Sequence, residues 1–302
     1  MGERWLEIDL DDGRTLEAFV QGADDGVLLI FHHGSPGSAQ PFAPFDRAAG
    51  ERGITIAFPS RAGFGGSSRQ EGRAVASAAA DAAALATALG HERFLTAGWS
   101  GGGPHALACA ALLPDRVVAA ATIAGVAPFD AEGLDWTAGM GEDNQIEYPL
   151  AERDPVASLD WMRPHVDAMA TIEPEEIVEE FRSLISPVDE GEITGEFGEN
   201  MAASLRGAFR NGPWGWFDDD QAFVHDWGFD LASIRVPVFV WQGRQDLMVP
   251  ITHGEWLCAH IPSARVHLYD EHGHLSLALG AFGSILDELL GSVERGPSSI
   301  EG

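Results

Sequence analysis

Residues 94–113 read FLTAGWSGGGPHALACAALL. The first five, FLTAG, form an apolar run of strand length that ends at Gly98. An Ala- and Leu-rich run of helical length follows Ser100 and reaches Leu113, where Pro114 bars its continuation. Between the two lies Gly98-Trp99-Ser100-Gly101-Gly102, a match to G-x-S-x-G. A sharp strand-to-helix turn at that point lifts a serine hydroxyl clear of a sheet edge, and glycines on either side allow the close backbone approach that the turn requires. The helix N-terminus favours negative charge developing beside it. Ser100 is therefore the candidate nucleophile.

The same grammar extends in both directions. Residues 5–10 and 15–20 alternate as extended runs, and Asp12-Gly13 marks a tight turn between them, which predicts an opening hairpin. Short apolar runs follow at 27–32, 54–58, 94–98, 117–123, 237–242 and 266–269, with helical stretches at 73–89, 100–113 and 276–290. Continuous apolar strands separated by helices imply an α/β fold with a mostly parallel sheet covered on both faces. The alternation stops between residues 126 and 234. That segment holds Trp136, Trp161, Trp214, Trp216 and Trp227 together with acidic helix-like stretches. It reads as a helical cap, residues 127–234, inserted into a core made of residues 1–126 and 235–295. Trp99, Trp136, Trp161 and Trp214 are candidates for a pocket wall. The last residues, 296–302, GPSSIEG, have no periodicity and read as a disordered tail or vector remnant.

Three further segments carry chemistry. His33-Gly34-Ser35-Pro36-Gly37 follows the strand VLLIFH. Acyl transfer builds negative charge on an oxygen and needs fixed N–H donors for it. The backbone N–H groups of Ser35 and Gly101 are the candidates. Asp246 follows the strand PVFVWQ, where a carboxylate reaches the C-terminal edge of a parallel sheet and can orient an imidazole. Order and spacing favour it over Asp130, which follows the preceding strand. His274, in Glu271-His272-Gly273-His274-Leu275-Ser276, stands directly before the final helix and is preferred to His272 as general base. No carboxylate or third histidine accompanies the H-x-H pair at ligand spacing, so no metal is expected.

Taken together, HHGSPGS, FPSRAGFGGSS, GWSGGGPHALA, PVFVWQGRQDLMVP and EHGHLS make the chain resemble the α/β-hydrolase superfamily from about residue 6 to residue 290. The order Ser100, Asp246, His274 is the order of that superfamily. Within it the chain looks like the capped esterase, proline-iminopeptidase and lactonase-like groups. Ser60 stands where many relatives carry Asp, and Trp99 where esterases often carry His. The resemblance implies a Ser-His-Asp hydrolase that needs no cofactor and acts on a small-molecule acyl substrate. Carboxylic esters or lactones are favoured over prolyl or other amino-acyl amides. A cofactor-free haloperoxidase or perhydrolase, and a non-catalytic ligand-binding protein, share the fold. Halide oxidation by peroxide would mark the first, and the absence of sustained ester turnover the second.

Composition narrows the partners. Net charge is −29, with 47 Asp and Glu against 18 basic residues, all Arg. So acidic a surface repels nucleic acid and anionic membrane, so neither is expected as a partner. No run approaches the roughly 20 apolar residues of a membrane helix. The first ten residues have no apolar core, so a cytoplasmic location is expected. Cys109 and Cys258 are too few and too far apart for a disulfide framework. Oligomeric state leaves no trace in the pattern.

Overall fold

The computed structural model describes residues 4–23 and 25–295, so residues 296–302, read from sequence as a tail, lie outside the described residues. Eight strands form one sheet: β1 (Arg4–Asp9), β2 (Thr15–Gly22), β3 (Val27–His32), β4 (Ile54–Pro59), β5 (Phe94–Trp99), β6 (Val117–Ile123), β7 (Val238–Gly243) and β8 (Ala264–Tyr269). Their spatial order is β1-β2-β4-β3-β5-β6-β7-β8. The expected hairpin pairs β1 with β2, Arg4 opposite Val20, and Gly13 in its turn takes φ 84°. β2 runs antiparallel to β4, and every later pairing is parallel.

The central strands are predominantly apolar because both of their faces are covered. Successive residues alternate between two cores. Leu28, Ile30, Val238 and Val240 face one core, which is closed by α2 (Ala78–Ala88), α3 (Gly102–Leu112) and α10 (Ile251–His260). Leu29, Phe31, Phe239 and Trp241 face the other, closed by α1 (Ala43–Gly50) and α12 (Phe282–Arg295). β8 departs from the expectation of a covered strand. It is an edge, paired only with β7, and its Val266 and Leu268 side chains are exposed.

The helix expected over residues 276–290 is two helices, α11 (His274–Gly280) and α12, bent by 58°. Gly280 ends the first of them. It sits against the His272 ring, where a Cβ would come within 3.0 Å of the ring. Among the described residues no single helix is long and apolar enough to cross a membrane.

Between β6 and β7 the chain is helical: α4 (Glu142–Arg153), α5 (Pro155–Met169), the short α6 (Ile177–Glu180) and α7 (Pro187–Glu190), α8 (Gly195–Ala208) and α9 (Trp214–Val224). Local chemistry sets these boundaries. Asp154 accepts from the N–H groups of Val156 and Ala157 ahead of Pro155, so α5 starts there. The insertion has its own apolar cluster, with Met162, Ile177, Ala202, Leu205 and Trp216, and that cluster also takes in Phe64 and Leu275 from outside it.

Candidate active site

Ser100 sits between β5 and α3 with φ 56°, one of three non-glycine residues at positive φ among the described residues. Holding a residue there costs of order 1–3 kcal/mol, and the surroundings must impose it. They do so through the Ser100 N–H, which donates to Ile123 O at 2.8 Å, and through Ser100 O, which accepts from Gly103 N at 2.9 Å. Two glycines make the turn possible. A Cβ on Gly98 would lie 2.0 Å from Gly102 O, and one on Gly102 would lie 2.1 Å from His32 O.

His274 is the first residue of α11. Its Nδ1 lies 2.8 Å from Asp246 Oδ2, and both side chains are buried. An ionised carboxylate only accepts, so Nδ1 carries the proton and Nε2 is left with a free lone pair. Asp246 is itself fixed. Its Oδ1 accepts from the N–H groups of Met248 and Val249 at 2.8 and 2.7 Å, and Gln242 Nε2 donates to Oδ2 at 3.2 Å. Burial lifts the Asp246 carboxyl above its usual range, against the pull of His274. The rivals stand elsewhere: Asp130 is exposed, and His272 packs edge-on against Tyr269.

Ser35 and Gly101 adjoin one another. A Cβ built on Gly101 would meet the Ser35 Cβ at 2.8 Å. Neither backbone N–H donates to any acceptor among the described residues. Both are thus available where Ser100, Ser35 and His274 border one cavity.

A second pocket adjoins it, and the two, the arms of the site, share Ser35, Pro36, Ser100, Phe181 and Met248 as lining. The larger is apolar, walled by Phe31, Phe45, Phe58, Phe197, Met201 and Leu205. The smaller is acidic and aromatic, walled by Asp143, Glu147, Trp161, His165, Glu180 and Trp216. Burial raises the Glu147 carboxyl to about 7, although Trp216 Nε1 donates to it at 2.7 Å. Among the described residues no group of three or more His, Cys, Asp or Glu is placed to hold a metal ion.

The tryptophan expectations divide. Trp99 lines the apolar arm, and its Nε1 donates to His274 O at 3.3 Å; Trp161 lines the acidic arm. Trp136 and Trp214 line neither. Trp136 is core, with Nε1 donating to Ala127 O at 2.7 Å and its ring packed on Tyr148 and His253. Trp214 lies half-buried under the Arg69 guanidinium, 4.0 Å from the ring centroid. Trp216, two residues further along α9, is the one that turns inward.

Asp189 was not legible from sequence. In its local context, Ser186-Pro187-Val188-Asp189, it reads as first-turn decoration of α7. In the fold it is fully buried, and it caps α11 from outside. It accepts from the N–H groups of His274, Leu275 and Ser276 at 2.8, 2.9 and 2.9 Å, and from the Ser186 and Ser276 hydroxyls.

Comparison with known proteins agrees with this architecture. A family model described as alpha/beta hydrolase fold matches residues 27–169. The uncharacterized hydrolase YcgS of Bacillus subtilis (strain 168) is 26% identical over 299 residues, covering 90% of this chain and 93% of that one. A bromoperoxidase from Bacillus anthracis superposes with TM-score 0.70 at 21% identity, over 96% of this chain and 100% of its own. An esterase from Exiguobacterium antarcticum superposes with TM-score 0.67 at 19% identity, over 97% and 100%. At such identities the structural likenesses speak for the fold alone. The sheet order and these superpositions give the chain the α/β-hydrolase fold, and its residues 27–169 match the family model of that description.

Proposed function

We propose that the protein is a serine hydrolase that cleaves a carboxylic ester or lactone through an acyl-serine intermediate. The observation that carries this reading is the placement of Ser100, at a left-handed turn, in one cavity with a His274 whose Nδ1 is held by Asp246. His274 Nε2 takes the Ser100 proton as Oγ attacks the acyl carbon. The Ser35 and Gly101 N–H groups stabilise the oxyanion, and Asp246 stabilises the imidazolium. His274 then protonates the leaving alkoxide. Water, deprotonated by the same nitrogen, frees the acid and restores Ser100. In this reading residues 127–234 act as the cap, and the apolar arm takes the acyl chain.

A second reading has a specific observation in its favour. The acidic arm, with Glu147 and Glu180 beside Trp161 and Trp216, suits a substrate carrying a cation, as an amino-acyl amide does. Of the acidic run at 173–180, only Glu180 lines the cavity; it lies 3.1 Å from His165 Nδ1, while Glu173, Glu175, Glu176 and Glu179 are exposed. The ester reading is preferred because the apolar arm is the larger of the two and needs no buried charge to be paired. The test compares kcat/KM for a medium-chain p-nitrophenyl ester and a prolyl arylamide, alongside fluorophosphonate labelling. Ester turnover and a label on Ser100, both lost in Ser100→Ala, are expected. A label elsewhere refutes the nucleophile, and a faster amide refutes the substrate class.

A further inference from the structure

Beneath the Ser35 loop lies a buried polar cluster that the proposed chemistry does not use. Arg61, from the segment after β4, is 4% exposed and Asp219, from α9, is fully buried. Two ions so placed are costly unless their hydrogen bonds are well satisfied. Arg61 donates to His33 O, to Gly34 O at 3.0 Å and to both oxygens of Asp219. Asp219 also accepts from the Ser35 hydroxyl at 2.7 Å and pairs with Arg73 at 2.6 Å. Burial alone would raise the Asp219 carboxyl, but the Arg61 and Arg73 charges outweigh it and hold it well below the usual carboxylate range.

His33 completes the arrangement. Its Nε2 lies 3.1 Å from the Arg61 backbone N–H and must accept. Its Nδ1 therefore carries the proton and donates to Gly34 O at 2.6 Å. Burial keeps this imidazole neutral by pushing its pKa well down. The Gly34 carbonyl thus accepts two hydrogen bonds from below. The Gly34–Ser35 peptide is planar and trans, so its C=O and N–H point in opposite directions. Holding the Gly34 oxygen toward Arg61 aims the Ser35 N–H the other way, and that N–H has no acceptor among the described residues.

We propose that Arg61 and Asp219 are positioning residues that lock the Gly34–Ser35 peptide, and so fix the direction of the Ser35 N–H toward the reacting oxygen. The inference rests on the reading of Ser35 as an oxyanion donor. Asp219 supplies the link to the insertion: it holds the Arg61 fork and the Ser35 side chain at once, so α9 sets the geometry of a loop it does not belong to.

The test uses Arg61→Lys and Ser35→Ala in the full chain. A lysine keeps the charge opposite Asp219, but one ammonium cannot span both carbonyls and the carboxylate. Ser35→Ala removes the hydroxyl anchor and leaves the N–H. Asp219→Asn is a third variant, read only if its melting curve stays cooperative. Each is assayed for kcat and KM on a p-nitrophenyl ester and for Ki of an alkyl trifluoromethyl ketone, whose hemiketal oxygen carries the charge of the intermediate. Loss of a whole oxyanion donor costs about 10²–10³ in kcat, so a misaimed one is expected to cost about 10- to 100-fold in Arg61→Lys and less in Ser35→Ala. KM should stay within about threefold, and Ki should weaken in parallel with kcat. If the variants bind the ketone as tightly as wild type, or change only in melting temperature or KM, the cluster is merely structural and the proposal is overturned. If wild type forms no Ser100 adduct with the ketone at all, the hydrolase reading itself falls, and this inference with it.

Discussion

Asp189→Asn removes one oxygen from the carboxylate that caps α11. The remaining oxygen can keep the Leu275 and Ser276 N–H groups, now at 2.9 Å each. The new amide NH2 replaces the oxygen that accepts from His274 N at 2.8 Å and from the Ser186 hydroxyl. Ser186 can rotate its proton away and accept instead, but the His274 N–H cannot. One buried donor left unpaired costs about 1–3 kcal/mol. Loss of the negative charge at the helix N-terminus adds about 0.3–1 kcal/mol. A destabilisation of about 1.3–4 kcal/mol follows, read as a lower urea midpoint at unchanged slope. The unpaired N–H belongs to His274 itself, so the imidazole shifts relative to Ser100. A displacement near 1 Å costs about 10²-fold, so kcat on a p-nitrophenyl ester should fall about 10- to 100-fold with KM little changed. A variant within about 0.5 kcal/mol of wild type, the level of an ordinary surface change, with kcat intact would refute the reasoning.

Two further outcomes follow from the site. His274→Ala and Asp246→Asn should each lower kcat strongly, by roughly 10³ or more for the histidine, whereas His272→Ala and Asp130→Asn leave it nearly unchanged; greater damage from Asp130→Asn than from Asp246→Asn would move the acid to the segment after β6. Glu147 has its folded pKa raised by burial from 4.5 to about 7, so its contribution to stability is full below the unfolded value and is lost as pH rises through about 7. The melting temperature should therefore fall between about pH 4.5 and pH 7 and level off above that, and Glu147→Gln should flatten the decline; an equal slope in the variant would show that the carboxyl is not desolvated.

The parts of the fold that sequence made legible are those where one physical requirement dominates. Residues 27–32 and 117–123 emerge as strands with those bounds because both of their faces are buried and nearly every position, His32 and Thr122 apart, is apolar. The turn at Ser100 is legible because glycine is demanded by backbone contacts within a few residues and on the neighbouring strand. Where a side chain's partner is remote, the signal fails. Asp218, Asp219 and Asp220 form an acidic triplet in a chain of net charge −29 and look like solvated surface. All three are buried: Asp218 pairs with Arg69, Asp219 with Arg61 and Arg73, and Asp220 lies beside Glu147. The tryptophans fail for a related reason. Trp214 and Trp216 are two positions apart on one helix and so face different ways, and only the packing of α9 decides which one meets the cavity.

Asp189 and Asp219 both belong to the segment between β6 and β7, yet their hydrogen bonds reach outside it, from Asp189 to the first turn of α11 and from Asp219 to the Ser35 side chain after β3. Modules joined in this way cannot be exchanged freely. A chimera carrying a foreign segment of the right length would leave the α11 amides uncapped and Arg61 without its carboxylate. Its failure would be one of catalytic geometry as much as of substrate choice. Divergence of specificity in such a lineage is therefore expected to proceed by side-chain replacement along the two arms, with the aspartate at each of these two positions retained while the residues around it drift.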